Sequence, residues 1–282
     1  MELDCEGCAG CCVDWRPLAP ESVDLDHERR GRFDPLDDAY NLVPLSSDEV
    51  RRFVRDGLGD ALTPRLFSAE AGSVRVDGHD LAAVDGRPAF LVGLRKVPKP
   101  VAPFGTDPSW LSACVFLDPS TLQCRIHGGA RYPDACGTYP ADNLAVGAGT
   151  ECERVETAFG GNRLLDGDPE GATPLLGAGA LGATVFAHPD PDRLEGRVDR
   201  VVAGETTPAD RAEFVAVAAA SRPGGLEVDG DRYETARKRV LEADSWVGRA
   251  IEAWTERAGG DADPGLGALE EQRGAPATPG WD

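Results

Sequence analysis

Four of the chain's eight cysteines fall in one octet near its start, Cys5-Glu6-Gly7-Cys8-Ala9-Gly10-Cys11-Cys12, and no other feature restricts the fold as much. Thiols two residues apart on a turn can be aimed at one ion, and Gly7, Ala9 and Gly10 are small enough to let the backbone wrap it. The competing reading, buried or disulfide-bonded cysteines, depends on the compartment. The sequence has no basic residue before Arg16 and no apolar run beside it, so it predicts no secretory signal. No stretch reaches the ~20 apolar residues of a membrane span. The expectation is therefore a cytoplasmic protein with no membrane partner. In that reducing setting cysteines serve as metal ligands or redox groups more readily than as structural bridges.

Composition narrows the partners. Asp and Glu number 49 against 29 Lys and Arg, a formal net charge of −20. Such a field repels phosphate and argues against nucleic acid as a partner. Only Lys96, Lys99 and Lys238 are lysines, yet the hydrophobic fraction is an ordinary 41%, so the chain can bury a core beneath an acidic surface. An acidic, lysine-poor surface is expected of a halophilic protein, because screening to roughly 3 Å at 1 M salt removes most of its self-repulsion.

Local patterns give the elements. Leu45-Ser46-Ser47-Asp48-Glu49-Val50 predicts a helix start with Ser46 as N-cap, Glu49 closing a capping box and Leu45 and Val50 as a staple, the helix ending near Gly57. From Ser73 to Leu94, apolar runs separated by Asp77-Gly78 and Asp85-Gly86 predict a small antiparallel meander. Pro98, Pro100, Pro103 and Pro108 predict an irregular loop up to Ala113. Weak strands are expected at 182–187 and 197–202. Thr207-Pro208 predicts a helix to Ser221, and the stripe Tyr233, Ala236, Val240, Val247, Ala250, Ile251 and Trp254 predicts one longer helix closed by Gly259-Gly260. The expected class is α+β: a small irregular cysteine-cluster metal domain with a short meander, plus C-terminal helices. Its expected divisions are a metal domain at 1–160, a turn-rich connection at 161–205, helices at 206–260 and a disordered acidic tail at 261–282. His27, His79 and His188 lie in turn-rich segments and are expected to be exposed.

The second cysteine group is Cys114-Val115-Phe116-Leu117, then Cys124-Arg125-Ile126-His127, then Arg131-Tyr132-Pro133-Asp134-Ala135-Cys136-Gly137-Thr138-Tyr139-Pro140, with Cys152 beyond. An N-terminal CxxCxxCC followed by C-x-F-L, C-x-I-H and R-x-P-x-x-C-x-x-Y-P resembles the YkgJ-type cysteine-cluster family, described as zinc- or iron-chelating. The resemblance covers roughly residues 5 to 140, with the helix at Ser46 and the meander between its halves. Gly137 stands where an arginine is common, and the Pro-rich stretch before Cys114 is an insertion. The resemblance implies metal chelation and supplies no general reaction.

The candidate ligands are Cys5, Cys8, Cys11, Cys12, Cys114, Cys124, Cys136 and Cys152, for zinc or for iron, a 4Fe-4S cluster among the options. Eight thiolates suffice for two four-ligand sites or for one site with spare ligands. Adjacent Cys11 and Cys12 cannot easily share one ion, because neighbouring side chains diverge along extended backbone. About a hundred residues separate Cys12 from Cys114, but closure costs rise only logarithmically, whereas binding contributes about 10–16 kcal/mol in structural zinc peptides. A metal is thus expected to clasp the N-terminus to the body. Trp15 is expected as a lid over the cysteine turn, His127 in a packing or hydrogen-bonding role, and Asp14 and Asp118 as surface carboxylates. No phosphate loop, nucleophile elbow or zinc-protease helix is present in the sequence. Two further readings stand beside chelation: a metal-cluster-dependent enzyme resembling flagellin lysine methylases, which carry the same cysteine pattern, and a protein-binding adaptor with a purely structural metal.

Overall fold

The structure, a computed structural model, describes residues 2–23, 25, 34–145, 147–166, 179–263 and 268–280. Its strands are β1 (Glu2–Leu3), β2 (Asp34–Pro35), β3 (Leu62–Ser68), β4 (Ser73–Val76), β5 (His79–Val84), β6 (Arg87–Leu94), β7 (Lys96–Val101), β8 (Ser109–Cys114), β9 (Leu164–Asp166) and β10 (Phe186–Ala187). Its helices are α1 (Ser47–Arg55), α2 (Asp134–Thr138), α3 (Ala141–Ala145), α4 (Glu151–Phe159), α5 (Val198–Val202), α6 (Pro208–Ala220), α7 (Gly230–Leu241), α8 (Trp246–Arg257) and α9 (Ala268–Gln272). The fold is α+β with antiparallel sheets. Two compact units divide the chain, one from Met1–Glu28, Lys96–Pro174 and Trp246–Asp282, the other from Arg29–Arg95 and Leu175–Ser245. Each is discontinuous in sequence, so the division cuts across the linear boundaries expected at 160, 205 and 260.

The second unit is a sheet in the order β10-β6-β3-β5-β4, with β2 against β3. Its hairpins follow the sequence signal: Asp77 and Gly78 at φ 49° and 83°, and Asp85 and Gly86 at φ 52° and 71°, make left-handed turns between β4, β5 and β6. The expected meander therefore forms, but apart from the cysteines. Phe90 pairs across the sheet with Phe186, and its ring meets Phe214 of α6 edge-on at 5.1 Å, so β6 is buried by the 175–245 segment. Helix α6 is buried along nearly its whole length and packs on α1, α7 and β3. Its Thr207 capping box and the Ser46 capping box of α1 both form as read. The expected strand at 197–202 is instead α5, set beside β3.

The cysteine-bearing unit is built on the β7–β8 ribbon, where an irregular loop was expected. The prolines are compatible with the strand because of register. Pro98 and Pro100 face Ser112 and Trp110, and the Ser112 carbonyl accepts a bond from the Asp14 N–H on the far side of β8. The proline nitrogens, which have no hydrogen to donate, therefore point away from β8. Trp15, Phe104 and Phe159 make one aromatic cluster of this unit's core, Phe104 and Phe159 stacked at 4.6 Å and Trp15 edge-on to both. The single helix expected over 231–259 is two, α7 and α8, broken at 242–245, and each belongs to a different unit.

The expected disordered tail also differs. Residues 264–267 and 281–282 lie outside the described residues, but α9 is helical and Glu270 is fully buried. Glu270 pairs with Lys99 at 2.6 Å and Arg125 at 2.8 Å and accepts the Trp254 indole N–H at 3.1 Å. Arg125 also donates to the Pro276 carbonyl, and Thr278 Oγ1 donates to Asp118. Composition spoke for disorder; two buried cations awaiting an anion decide otherwise.

Candidate metal centre

All eight cysteines lie in one unit, on five separate segments, and all are free. The first segment is the octet. Cys8 N–H donates to the Cys5 carbonyl at 3.2 Å, and the Ala9 carbonyl accepts from Cys12 at 2.8 Å and Val13 at 3.0 Å, which curls the strand into consecutive turns. Gly10 is needed for a close approach: a Cβ there would stand 2.9 Å from Val155 Cγ2 of α4 and 3.5 Å from the Cys8 sulfur. Helix α4 is the segment that carries Cys152, in its first turn behind a Thr150 capping box. That turn is held by fully buried Trp15, whose indole N–H donates to Glu151 Oε2 at 2.8 Å.

Cys114 ends β8, and its backbone N–H donates to the Cys12 carbonyl at 2.8 Å. Together with Asp14 to Ser112 at 2.7 Å and Phe104 to the Gly7 carbonyl at 2.8 Å, this bond sets the octet against the ribbon through the backbone. The clasp expected of a metal is thus made in part by peptide hydrogen bonds. Cys124 follows bridged to Leu117, and Cys136 lies on α2.

Three sulfurs share one local device. The backbone N–H two residues on is aimed at the sulfur of Cys8 (from Gly10), Cys114 (from Phe116) and Cys124 (from Ile126). Such bonds favour the thiolate over the thiol. Burial opposes them: burial first, and then the charge of neighbouring thiolates, pushes Cys5 up to about 11 and Cys124 and Cys152 up to about 12. The cysteines influence one another in two groups that meet at the adjacent pair. Cys152 is raised by Cys11, Cys8 and Cys5, whereas Cys12 is raised by Cys11, Cys114 and Cys136, Cys124 by Cys114 and Cys11, and Cys114 by Cys11, so Cys11 acts on both groups. The Cys11 and Cys12 side chains, expected to diverge, instead have their sulfurs 3.9 Å apart because the octet is turned rather than extended, and the S–H···S contact between them holds Cys11 low and Cys12 high.

Among the described residues, no three Cys, His, Asp or Glu side chains stand close enough to hold an ion as they are. The donor chemistry nonetheless fits a thiophilic metal: soft sulfurs, i+2 amides on three of them, and buried positive charge beside them. Lys96 is the residue that sequence reasoning missed. Its buried ammonium, pushed down by desolvation, is held up by Cys12, Cys114 and Cys11. Lys99, on the same strand, acts on Cys114 and Cys124. Two of only three lysines in an acidic chain lie beside the cysteines, and that rarity was the available signal.

The other candidates have structural partners. His127 packs edge-on to Tyr132 at 4.9 Å. Asp14 pairs with Arg16 at 2.6 Å and Asp118 with Arg125 at 3.0 Å. His188, expected at the surface, is fully buried against Glu213 at 3.1 Å, a partner 25 residues away that no local pattern announces. His79 is partly exposed, and His27 lies outside the described residues. Among the described residues no helix is long and apolar enough to cross a membrane.

Compared with known proteins, residues 1–282 match the model of a family of unknown function, DUF7531. No curated protein and no solved structure matches the chain.

Proposed function

For a chain that belongs to DUF7531 and so inherits no activity from its family, we propose that it binds zinc or iron through two thiolate sets that part at the Cys11–Cys12 junction. One set is Cys5, Cys8, Cys11 and Cys152; the other is Cys12, Cys114, Cys124 and Cys136. The observation that carries this reading is the convergence of eight free cysteines from five segments into one unit, in two electrostatic groups joined through Cys11. The resemblance to the YkgJ-type cysteine-cluster family supports the same chemistry. Zinc would supply a fixed tetrahedral junction between segments, and an iron–sulfur cluster would add electron transfer. The chain's own residues contribute the rest: amides that favour thiolates, Lys96 and Lys99 that offset their charge, and a Trp15–Glu151 bond that fixes the turn bearing Cys152.

Anaerobic purification with elemental and sulfide analysis and an absorbance spectrum tests the reading. The expected result is bound zinc without colour, or iron with sulfide and a broad visible band. Cys11→Ser and Cys12→Ser should each remove about half of the metal, with Cys124→Ser behaving like Cys12→Ser. Loss of all metal in both junction variants would mean one shared centre. A metal-free protein with its cysteines paired as disulfides would end the proposal.

A further inference from the structure

The unit without cysteines carries a cleft of about 550 Å³, lined among others by Arg87, Arg193, Glu213, Val217, Leu226 and Tyr233. That volume lies in the range of small-molecule sites. Its floor is a saturated carboxylate. His188 Nδ1 accepts the Asp190 N–H at 3.3 Å, so Nε2 carries the proton and donates to Glu213 Oε1 at 3.1 Å. Tyr233 Oη donates to the same oxygen at 2.9 Å, and Arg193 donates to Oε2 at 3.0 Å. With both oxygens engaged, Glu213 is neither a free base nor an open ligand. It braces Arg193, whose guanidinium lies 5.0 Å from the centre of the Tyr233 ring.

What remains is mainly positive and apolar, the one other lining carboxylate, Glu227, being paired with Arg222 at 3.1 Å. Arg193 commits its NH2 group to Glu213 and Tyr233, and among the described residues its NH1 group has no partner. Arg87 spends one N–H on the Leu226 carbonyl at 2.7 Å and faces no carboxylate among the described residues. In a chain of net charge −20, a half-buried arginine without an anion is unexpected. Beside these cations lie the side chains of Pro189, Val217, Leu226 and Val228. We propose that the cleft binds a small organic carboxylate with an apolar body, its oxygens received by Arg87 and Arg193 and its body by the Val217–Leu226 wall. Arginine's planar fork suits a carboxylate bound through both oxygens, and the wall discriminates against a bare anion.

Calorimetric titration of the full chain with phenylacetate, acetate and inorganic phosphate at one fixed salt concentration tests this. Saturable phenylacetate binding is expected, at least ten-fold tighter than acetate or phosphate. Arg87→Gln should weaken it at least ten-fold. Since Arg87 also holds the Leu226 carbonyl, Gly230→Leu serves as a second variant: Gly230 lines the cleft, and a Cβ there meets no atom within 4 Å, so bulk is added at the cleft with both arginines kept. It should abolish binding with an unchanged circular dichroism spectrum. Absence of saturable phenylacetate binding to the wild type, equal affinity in both variants, or tighter binding of phosphate than of phenylacetate would overturn the proposal.

Discussion

Replacing Glu270 by glutamine tests how the C-terminal segment is fastened to the cysteine-bearing unit. The carboxylate meets Lys99 at 2.6 Å and Arg125 at 2.8 Å, with all three side chains at most 1% exposed. The attraction itself is a poor measure of stability, because desolvating the ions offsets most of it. The asymmetry of a broken pair is what counts: an amide in place of the carboxylate leaves two buried cations facing no charge there. Neither cation is wholly abandoned. Lys99 keeps the Val115 and Leu117 carbonyls at 3.0 and 2.7 Å, and Arg125 keeps Asp118 and the Pro276 carbonyl. The loss should therefore lie near the lower end of the roughly 3–5 kcal/mol found when one partner of a buried pair is removed. At a urea sensitivity of roughly 1–3 kcal/mol per molar, the midpoint falls by about 1–3 M. All five tryptophans belong to this unit, so their fluorescence reports its unfolding separately from the other. Replacing Lys99 and Glu270 together by methionine removes both charges and should be less damaging than Glu270→Gln alone. A single variant within about 0.5 kcal/mol of wild type, or a double variant as unstable as the sum of the singles, would refute the reasoning.

Three further outcomes follow from particular contacts. Gly10→Ala forces a Cβ to within 2.9 Å of Val155 Cγ2 and should cost about 1–3 kcal/mol as overpacking, with faster metal loss to a chelator; unchanged chelation kinetics would show that the octet does not need α4. Asp210 is buried, which alone would raise its pKa, but bonds from Arg200, Thr207 and Arg197 outweigh this and hold its carboxyl well below the usual range. A depressed carboxyl contributes stability above its unfolded value of roughly 3.9 and loses it as the pH falls further, so Asp210→Asn should be about 1–2 kcal/mol less stable at pH 7 and converge on wild type below pH 4 in chemical denaturation. Finally, the acidic surface predicts a melting temperature that rises as potassium chloride is taken from 0.1 to 2 M; a flat or falling profile would argue against adaptation to salt.

Local chemistry was legible in the sequence wherever neighbours along the chain decide it. The capping boxes at Ser46 and Thr207, the two Asp-Gly hairpins and the α+β class all follow from residues within four positions of one another. The cysteine spacing likewise marked the candidate ligands, because turns put i and i+3 side by side whatever the rest of the chain does. Tertiary structure decided everything that depends on a distant partner. The prolines at 98 and 100 were compatible with a strand only once the register turned their nitrogens outward, and the stripe from 233 to 254 was two helices because its halves pack in different units. Glu270 ordered a tail whose composition speaks for disorder, since Lys99 and Arg125 are buried and among the described residues no other carboxylate bridges both. His188 was drawn inside by Glu213. The adjacent pair belongs to the same class: adjacency in sequence says that the side chains of Cys11 and Cys12 diverge along extended backbone, but the turns of the octet bring their sulfurs to 3.9 Å, and the proposed division of the thiols rests on the fold alone.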